Sequence, residues 1–196
     1  YYYLQLIRIN NLIIAAFAVL LSTYLLPSHE TNHTIFCICL VVSTMSFGYI
    51  MNDINDLKTD QISHPNRVLV TKKINLNAAK LLGVLFLVLA IILTSYINNQ
   101  SKVIYYFCII PCLILYNIYF KKTPILGNVV VSFLLASTFI FTEIVINNTS
   151  HLLLIPAILA FNLSLIREVL KDLHDYYGDL KASMCTLPLL FGIQKT

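Results

Sequence analysis

The sequence predicts an all-α protein that crosses a lipid bilayer several times, a polytopic transmembrane helical bundle. Of its 196 residues, 58% are hydrophobic and 11% are charged, and the mean hydropathy is +0.79. Soluble domains carry about 25% charged residues. Apolar runs of about 20 residues, the length that spans a bilayer as a helix, alternate with short polar segments. Because lipid offers the backbone no hydrogen bonds, helices are the expected element.

Six apolar runs and the start of a seventh are predicted to form this bundle. The runs are interrupted by polar turns, and Pro111 predicts a kink in the fourth of them. Thr186-Leu187-Pro188 predicts the beginning of the seventh helix. The six runs cover approximately residues 9–26, 34–50, 76–97, 103–120, 125–146 and 152–166. We expect residues 1–196 to form a single membrane domain that is truncated at the C-terminus.

Two acidic motifs of identical spacing follow the second and the sixth apolar runs. Each has the form D-x2-D-x3-D, which places three carboxylates within roughly 60° on one face of a continuous helix. Carboxylates at the edge of a membrane are costly and are usually functional. The six residues are Asp53, Asp56 and Asp60 in the first motif, and Asp172, Asp175 and Asp179 in the second.

The basic residues are distributed unequally between the two sets of loops. The segments after the second, fourth and sixth helices hold nine basic residues, whereas those after the first, third and fifth hold Lys102 alone. Basic loops remain on the cytoplasmic side, so both acidic motifs are predicted to lie there, facing one cavity. The nine are Lys58, Arg67, Lys72, Lys73, Lys121, Lys122, Arg167, Lys171 and Lys181.

Aligned carboxylates at the ends of apolar helices indicate a site for a hard cation. Magnesium binds to a few protein carboxylates and completes its octahedron with water and phosphate oxygens. Basic side chains nearby would neutralise the rest of a diphosphate, and an apolar bundle would hold a lipid tail. The combination predicts an isoprenyl diphosphate ligand bound through Mg²⁺, with phosphate contacts from Arg67, Lys121, Arg167 and Lys171.

Simpler explanations exist for each feature taken alone. A single acidic motif is compatible with a solvated helix end in which Lys171 pairs with Asp175, and Lys121-Lys122 with a topology anchor. The five cysteines and the scattered histidines fit small core residues and loop residues better than metal ligands. The net charge of +4 reflects topology and phosphate binding, and we expect no nucleic-acid partner.

The motifs resemble those of the UbiA family of membrane prenyltransferases. Asn52-Asp53 through Asp60, followed by His64-Pro65-Asn66-Arg67, is similar to the first aspartate-rich motif of that family, although Val68 stands where a proline is usual. The second motif with Thr186-Leu187-Pro188 and Gly192 resembles the second one. Three shorter elements also match, namely Arg8-x2-Asn11, Tyr116 to Lys121, and Gly127-Asn128. The family has about nine helices, which is consistent with truncation.

The resemblance implies transfer of a prenyl group from an isoprenyl diphosphate to a lipid-soluble or amphipathic acceptor. Magnesium on Asp53, Asp56, Asp172 and Asp175 would stabilise the departing diphosphate, and Asp60 and Asp179 would complete the sites. Lys121 would contribute to catalysis as well as to binding. Tyr116 or Tyr119 would stabilise an allylic cation. The remaining polar contacts would come from Asn11, Asn52 and Asn128.

Arg167 to Asp172 and Gly178-Asp179 look most like the archaeal-type ether-lipid enzymes of the family, whose acceptor is a prenylglyceryl phosphate. Two alternatives remain open, an aromatic prenyltransferase of quinone synthesis and a non-catalytic carrier of anionic lipids. A soluble prenyl synthase conflicts with the hydropathy. We expect an integral, multi-pass membrane protein whose active-site loops are cytoplasmic, located in the cell membrane if its source is a prokaryote.

Overall fold

The computed structural model describes residues 1–27, 31–181 and 185–193, and these contain helices and no strand. A π-helical turn (Tyr105–Ile109) joins α6 to α7, and a 3-10 turn (Phe120–Lys122) follows α7. The helices are α1 (Tyr2–Leu6), α2 (Ile9–Leu25), α3 (Thr31–Asn55), α4 (Leu57–Ser63), α5 (Leu76–Thr94), α6 (Asn99–Ile104), α7 (Ile110–Ile118), α8 (Leu126–Asn147), α9 (Leu154–His174), α10 (Tyr176–Lys181) and α11 (Leu187–Phe191).

Within the described ranges, four helical units are long and apolar enough to cross a membrane: α3, α5, the continuous unit Asn99–Ile118, and α8. The other two predicted spans are less regular. Helix α2 has 17 residues, about 25 Å, which is short for a hydrocarbon core of about 30 Å. Helix α9 is long enough, but its last two turns carry Arg167, Glu168, Lys171 and Asp172.

The predicted irregularity at Pro111 is a π-helical turn placed just before the proline. Proline lacks the N–H that would continue the α-helical ladder. In the residue just before it, the N–H of Ile110 donates to the carbonyl of Tyr105, five residues back. Such π-turns are frequent at functional sites, and this one places the buried hydroxyl of Tyr105 2.8 Å from that of Thr44 on α3.

Each long helix that carries an acidic motif ends at the second aspartate of that motif. Asp56 (φ −88°, ψ 1°) separates α3 from α4, and Asp175 (φ −87°, ψ 3°) separates α9 from α10. The expectation of three carboxylates on one continuous helix face is therefore wrong for both motifs. A ψ near 0° at a single residue turns the chain into a second, short helix, and the spacing of the acids does not encode that change.

The two short helices pack against each other and so bring the motifs together. Gly178 on α10 lies so close to α4 that a Cβ added to it would stand 3.2 Å from the Cβ of Ser63. The long helices behind them share a core in which Val19, Leu40, Ala90 and Phe141 are buried. The ends of α4 and α10 are therefore held over the apolar bundle.

Glu143 fixes the antiparallel pair α8 and α9 at the end of the bundle away from the acidic motifs. Its buried carboxylate accepts hydrogen bonds from the Thr149 hydroxyl, at 2.6 Å, and from the backbone N–H groups of His151, Leu152 and Leu153, at 2.8–3.0 Å. A carboxylate at a helix N-terminus satisfies donors that have no partner within the helix. This contact sets the register that places Asp172 beside Asn128 at the other end.

Candidate active site

Both acidic motifs line one cavity of about 150 Å³ between α4, α10 and the turn after α7. We call it the aspartate cavity. Its carboxylates are those of Asp56, Asp60, Asp172, Asp175 and Asp179. Its basic side chains are those of Arg8, His64, Arg67, Lys121 and Lys171. Four separate segments of the chain supply the cations, so the cavity depends on the tertiary fold.

Lys121 connects the turn after α7 to the first motif. Its ammonium group donates to the carboxylate of Asp56 and, at 2.8 Å, to the side-chain oxygen of Asn52. Burial lowers the pKa of Lys121 to about 7, and the charges of Lys171 and Arg8 act in the same direction. Three residues predicted for the site, Asn52, Asp56 and Lys121, are therefore in direct contact, although Lys121 is 69 positions from Asn52 in the chain.

Asp53 lies outside the aspartate cavity, in contrast to the expectation that all six aspartates face one space. It lines a neighbouring open cavity at the N-terminal segment, of about 810 Å³. Arg8 donates to its carboxylate at 2.8 Å and Arg67 at 3.4 Å. Arg67 also donates to Asp60 at 2.5 Å and lines both cavities. The Arg67 guanidinium therefore bridges Asp53 and Asp60.

The second motif is held by α8 and by the loop after α4. The Asn128 amide donates to Asp172 at 2.9 Å, and Nε2 of His64 lies 3.8 Å from an Asp175 oxygen. Burial and then the charges of Asp175 and Asp172 raise the pKa of Asp179 to about 6. Burial also raises the pKa of Asp60, against the opposing effect of Arg67. Close carboxylates in a poorly hydrated space favour a bound cation.

A second cavity, of about 170 Å³, continues from the aspartate cavity into the bundle. We call it the apolar cavity, because Met45, Leu113, Val131, Leu134 and Leu135 form its walls. Four polar side chains, those of Arg8, Asn52, Tyr116 and Lys171, line both cavities. Asn11 and Arg167, predicted as binding residues, line the apolar cavity and do not line the aspartate cavity.

Three residues at the site were given no role by the sequence. Arg8 is N-terminal to α2 with φ 55°, an uncommon value for a residue other than glycine, and its guanidinium also lies 4.9 Å from the centre of the Tyr49 ring. Backbone strain of this kind is concentrated at functional sites. Glu168 is buried in the wall of the apolar cavity, and Tyr49 lies beside it there. Tyr49 precedes Asp53 by four residues, and Glu168 precedes Asp172 by four. This helical spacing is the one sequence signal that could have found Tyr49 and Glu168.

The donor set of the aspartate cavity fits magnesium. Carboxylate oxygens are hard ligands, and Mg²⁺ usually binds to one or two of them while it retains water and phosphate oxygens. In the described part of the chain, no group of three acidic, histidine or cysteine side chains forms a complete metal site. The carboxylates are instead paired with Lys121, Arg67 and Asn128. Metal ligation by the six aspartates therefore remains a prediction.

Gly127 allows α8 to approach the turn that carries Lys121. A Cβ at this position would stand 2.8 Å from the carbonyl oxygen of Phe120 and 3.4 Å from Cα of Lys121.

We expect Gly127→Ala to lower catalytic activity at least tenfold by displacing the Lys121 backbone, although it removes no polar group. Steady-state rates of the purified variant test this. Gly83→Ala is the matched control, because its Cβ would meet only the side chain of Ile50; equal rates in both variants would contradict the expectation.

A helical membrane bundle whose apolar interior opens onto carboxylates and cations has the arrangement of an integral membrane transferase. Residues 11–196 match the model of the UbiA prenyltransferase family, and the chain belongs to that family. The predicted fold class and enzyme class are confirmed. Family membership also identifies the chain as an enzyme, in preference to the anionic-lipid carrier considered above.

Curated relatives agree with this assignment. The chain is 31% identical over 195 residues to digeranylgeranylglyceryl phosphate synthase of Methanosphaera stadtmanae, covering 98% of this chain and 70% of the relative. It is 33% identical over 199 residues to the synthase of the same name from Saccharolobus solfataricus, covering 99% of this chain and 70% of the relative. The predicted likeness to the archaeal-type ether-lipid enzymes is confirmed.

Solved structures share the fold. A structure of digeranylgeranylglyceryl phosphate synthase superimposes with a TM-score of 0.76 at 29% identity, over 98% of this chain and 69% of that one. A UbiA homologue from Archaeoglobus fulgidus bound to GPP and Mg²⁺ gives a TM-score of 0.74 at 19% identity, over 100% of this chain and 71% of that one. At 19% identity the likeness is one of fold.

Proposed function

We propose that this chain transfers a prenyl group from an isoprenyl diphosphate to the free hydroxyl of a prenylglyceryl phosphate and releases diphosphate. The observation that carries the proposal is the junction of two cavities. The aspartate cavity is polar and charged, whereas the apolar cavity has aliphatic walls, and Tyr116 and Lys171 line both. A molecule with an anionic head and an isoprenoid body fits across this junction.

The cations of the aspartate cavity would bind the diphosphate and hold it in place. Lys121 and Arg67 already contact carboxylates in a partly desolvated space, where charge-assisted hydrogen bonds are strong. Lys171, half exposed and paired with Glu168, can turn towards an incoming phosphate. Lys121 and Arg67 would stabilise the negative charge that grows on the leaving group, because their positions are set before the reaction.

Magnesium, when bound, would neutralise the leaving diphosphate as a Lewis acid. Asp56, Asp60, Asp172, Asp175 and Asp179 would hold it, and Asp53 would join them where Arg67 moves aside. The Archaeoglobus fulgidus homologue of this fold binds GPP and Mg²⁺. For this chain the support is the hard oxygen donors of the aspartate cavity.

The acceptor is the point that separates this proposal from aromatic prenyl transfer in quinone synthesis. The curated relatives that carry the name digeranylgeranylglyceryl phosphate synthase favour a glyceryl phosphate acceptor. A second anionic group is matched on this chain by Arg167, a basic residue of the apolar cavity that lies outside the aspartate cavity. A hydroxybenzoate also carries a negative charge, so Arg167 suits either acceptor, and the names of the relatives are what favour the glyceryl phosphate.

The proposal is tested by offering both acceptors to the purified protein in lipid vesicles. Labelled geranylgeranyl diphosphate and Mg²⁺ are supplied with either geranylgeranylglyceryl phosphate or a hydroxybenzoate, and products are identified by mass spectrometry. We expect a digeranylgeranyl ether with the first acceptor and none when a chelator removes the metal. Prenylated hydroxybenzoate without ether would overturn the proposal in favour of the aromatic alternative.

We further propose that both acidic motifs face the cytoplasm. The support is the excess of lysine and arginine in the loops after the second, fourth and sixth predicted helices. In a chain whose own cysteines are replaced by serine, Gln61→Cys on α4 and Ser150→Cys in the loop between α8 and α9 place exposed thiols at opposite ends of the bundle. A reagent that cannot cross the membrane should label residue 150 in intact cells and residue 61 only after lysis; the reverse pattern would invert the orientation.

A further inference from the structure

One buried carboxylate at the site belongs to neither acidic motif. Glu168 is 6% exposed and precedes Asp172 by four residues on α9. It therefore lies on the same helix face, about 6 Å deeper in the bundle. Among the described residues that line the apolar cavity, Glu168 is the one with a carboxylate, whereas five motif aspartates line the aspartate cavity.

Glu168 lies beside the junction of the two cavities, where the reacting carbon of the prenyl donor would be. If the diphosphate occupies the aspartate cavity and the prenyl tail the apolar cavity, the first prenyl carbon lies at their junction. Lys171 lines both cavities there, and its ammonium contacts the Glu168 carboxylate. Four groups from other segments face this carboxylate: Arg8 before α2, Tyr49 of α3, Tyr116 of α7 and Lys121 of the turn after α7. Arg167, Lys171 and Asp172 are its neighbours on α9.

Transfer to an alcohol requires a proton acceptor, and the other groups at the junction are poorly suited. Carboxylates that hold a dication have their lone pairs engaged, and neutral tyrosine hydroxyls such as those of Tyr49 and Tyr116 are donors at neutral pH. The neutral amide of Asn52 is not basic, and Arg8 and Lys171 have no lone pair to accept a proton while they are charged. A phosphate that attracts Lys171 would free the Glu168 oxygens at the moment when substrate is present.

We propose, on the basis of the proposed function, that Glu168 accepts the proton of the acceptor hydroxyl as its oxygen attacks the first carbon of the prenyl donor. The new bond joins the hydroxyl oxygen to that carbon. The bond between the carbon and the diphosphate oxygen breaks, and its electron pair leaves with the diphosphate. The hydroxyl proton passes to the Glu168 carboxylate and then to water when the products depart.

The test compares two acceptors on the variant Glu168→Gln, which keeps the shape of the side chain and removes its basicity. One acceptor is geranylgeranylglyceryl phosphate, and the other is its analogue with a thiol in place of the reacting hydroxyl. A thiol is far more acidic than an alcohol and reacts as the thiolate, so it needs little help from a base. Because the ratio of the two rates is measured on one preparation, it does not depend on the fraction of protein that is folded.

We expect Glu168→Gln to lower kcat with the hydroxyl acceptor by about 10²–10⁴-fold and with the thiol acceptor by less than about tenfold. KM for the donor should change little. Lys171→Met is the matched control on the same helix. It removes a charge that is proposed to bind phosphate, so it should lower the rates with both acceptors in parallel and leave their ratio unchanged. Equal losses with both acceptors, or a wild-type rate with the hydroxyl acceptor, would overturn the role of Glu168. Failure of the wild-type chain to form any ether would overturn the proposed function instead.

Discussion

Asp56→Asn and Asp172→Asn should each lower the rate of prenyl transfer by about 10³-fold, a loss of about 4 kcal/mol of transition-state stabilisation. Each asparagine keeps the shape of the side chain but removes one of the charges that hold a dication against the diphosphate. The two residues come from different motifs and line the same cavity. Single-turnover rates at saturating donor and magnesium measure the effect on the chemical step.

The double variant distinguishes one shared site from two independent ones. If both motifs act on the same diphosphate, Asp56→Asn combined with Asp172→Asn should lose far less than the product of the single losses, because residues that act as a unit are not additive. Lys58→Gln, an exposed charge two residues from Asp56 that lines none of the cavities described, is the control and should remain within about twofold of the unmodified chain. Fully multiplicative losses would mean that the motifs act separately.

Most of the fold follows from the apolar runs of the sequence. Helices α3, α5 and α8 begin and end near the predicted limits because lipid leaves the backbone no other partner over those lengths. The breaks at Asp56 and Asp175 could not be predicted in this way, since a rotation about ψ at one residue changes neither hydropathy nor spacing. The position of the π-turn before Pro111 likewise depends on packing against α3.

The candidate site was predictable in composition and less so in arrangement. Identical acid spacing and the loop charges place both motifs at one end of the bundle, and five of the six aspartates line the aspartate cavity. Asp53 is the exception, because Arg8 and Arg67 contact it from segments 45 and 14 residues away. Glu168 stands four residues before Asp172, within the segment that resembles the ether-lipid enzymes, but neither signal shows that it lines the apolar cavity.

Lys121→Met should lower kcat/KM for the isoprenyl diphosphate by about 10²–10³-fold, because an ammonium group in a poorly hydrated cavity stabilises the leaving group strongly. Methionine retains the length of the side chain and removes its charge. Lys58→Met provides the same exchange at an exposed position and should leave kcat/KM nearly unchanged. A loss confined to kcat, with the donor bound as before, would limit Lys121 to the chemical step.

The same variant should also respond differently to magnesium alone. In the unmodified chain Lys121 already contacts Asp56, so a metal ion must compete with the ammonium for that carboxylate. Without the ammonium, Asp56 is left partly buried among carboxylates with one counter-charge fewer, which should lower the Tm measured in the absence of metal. Mg²⁺ without diphosphate should then raise the Tm of Lys121→Met by more than that of the unmodified chain, because a ligand stabilises the state that it binds more tightly. An equal magnesium-induced rise in both proteins would show that Lys121 and the metal do not share Asp56.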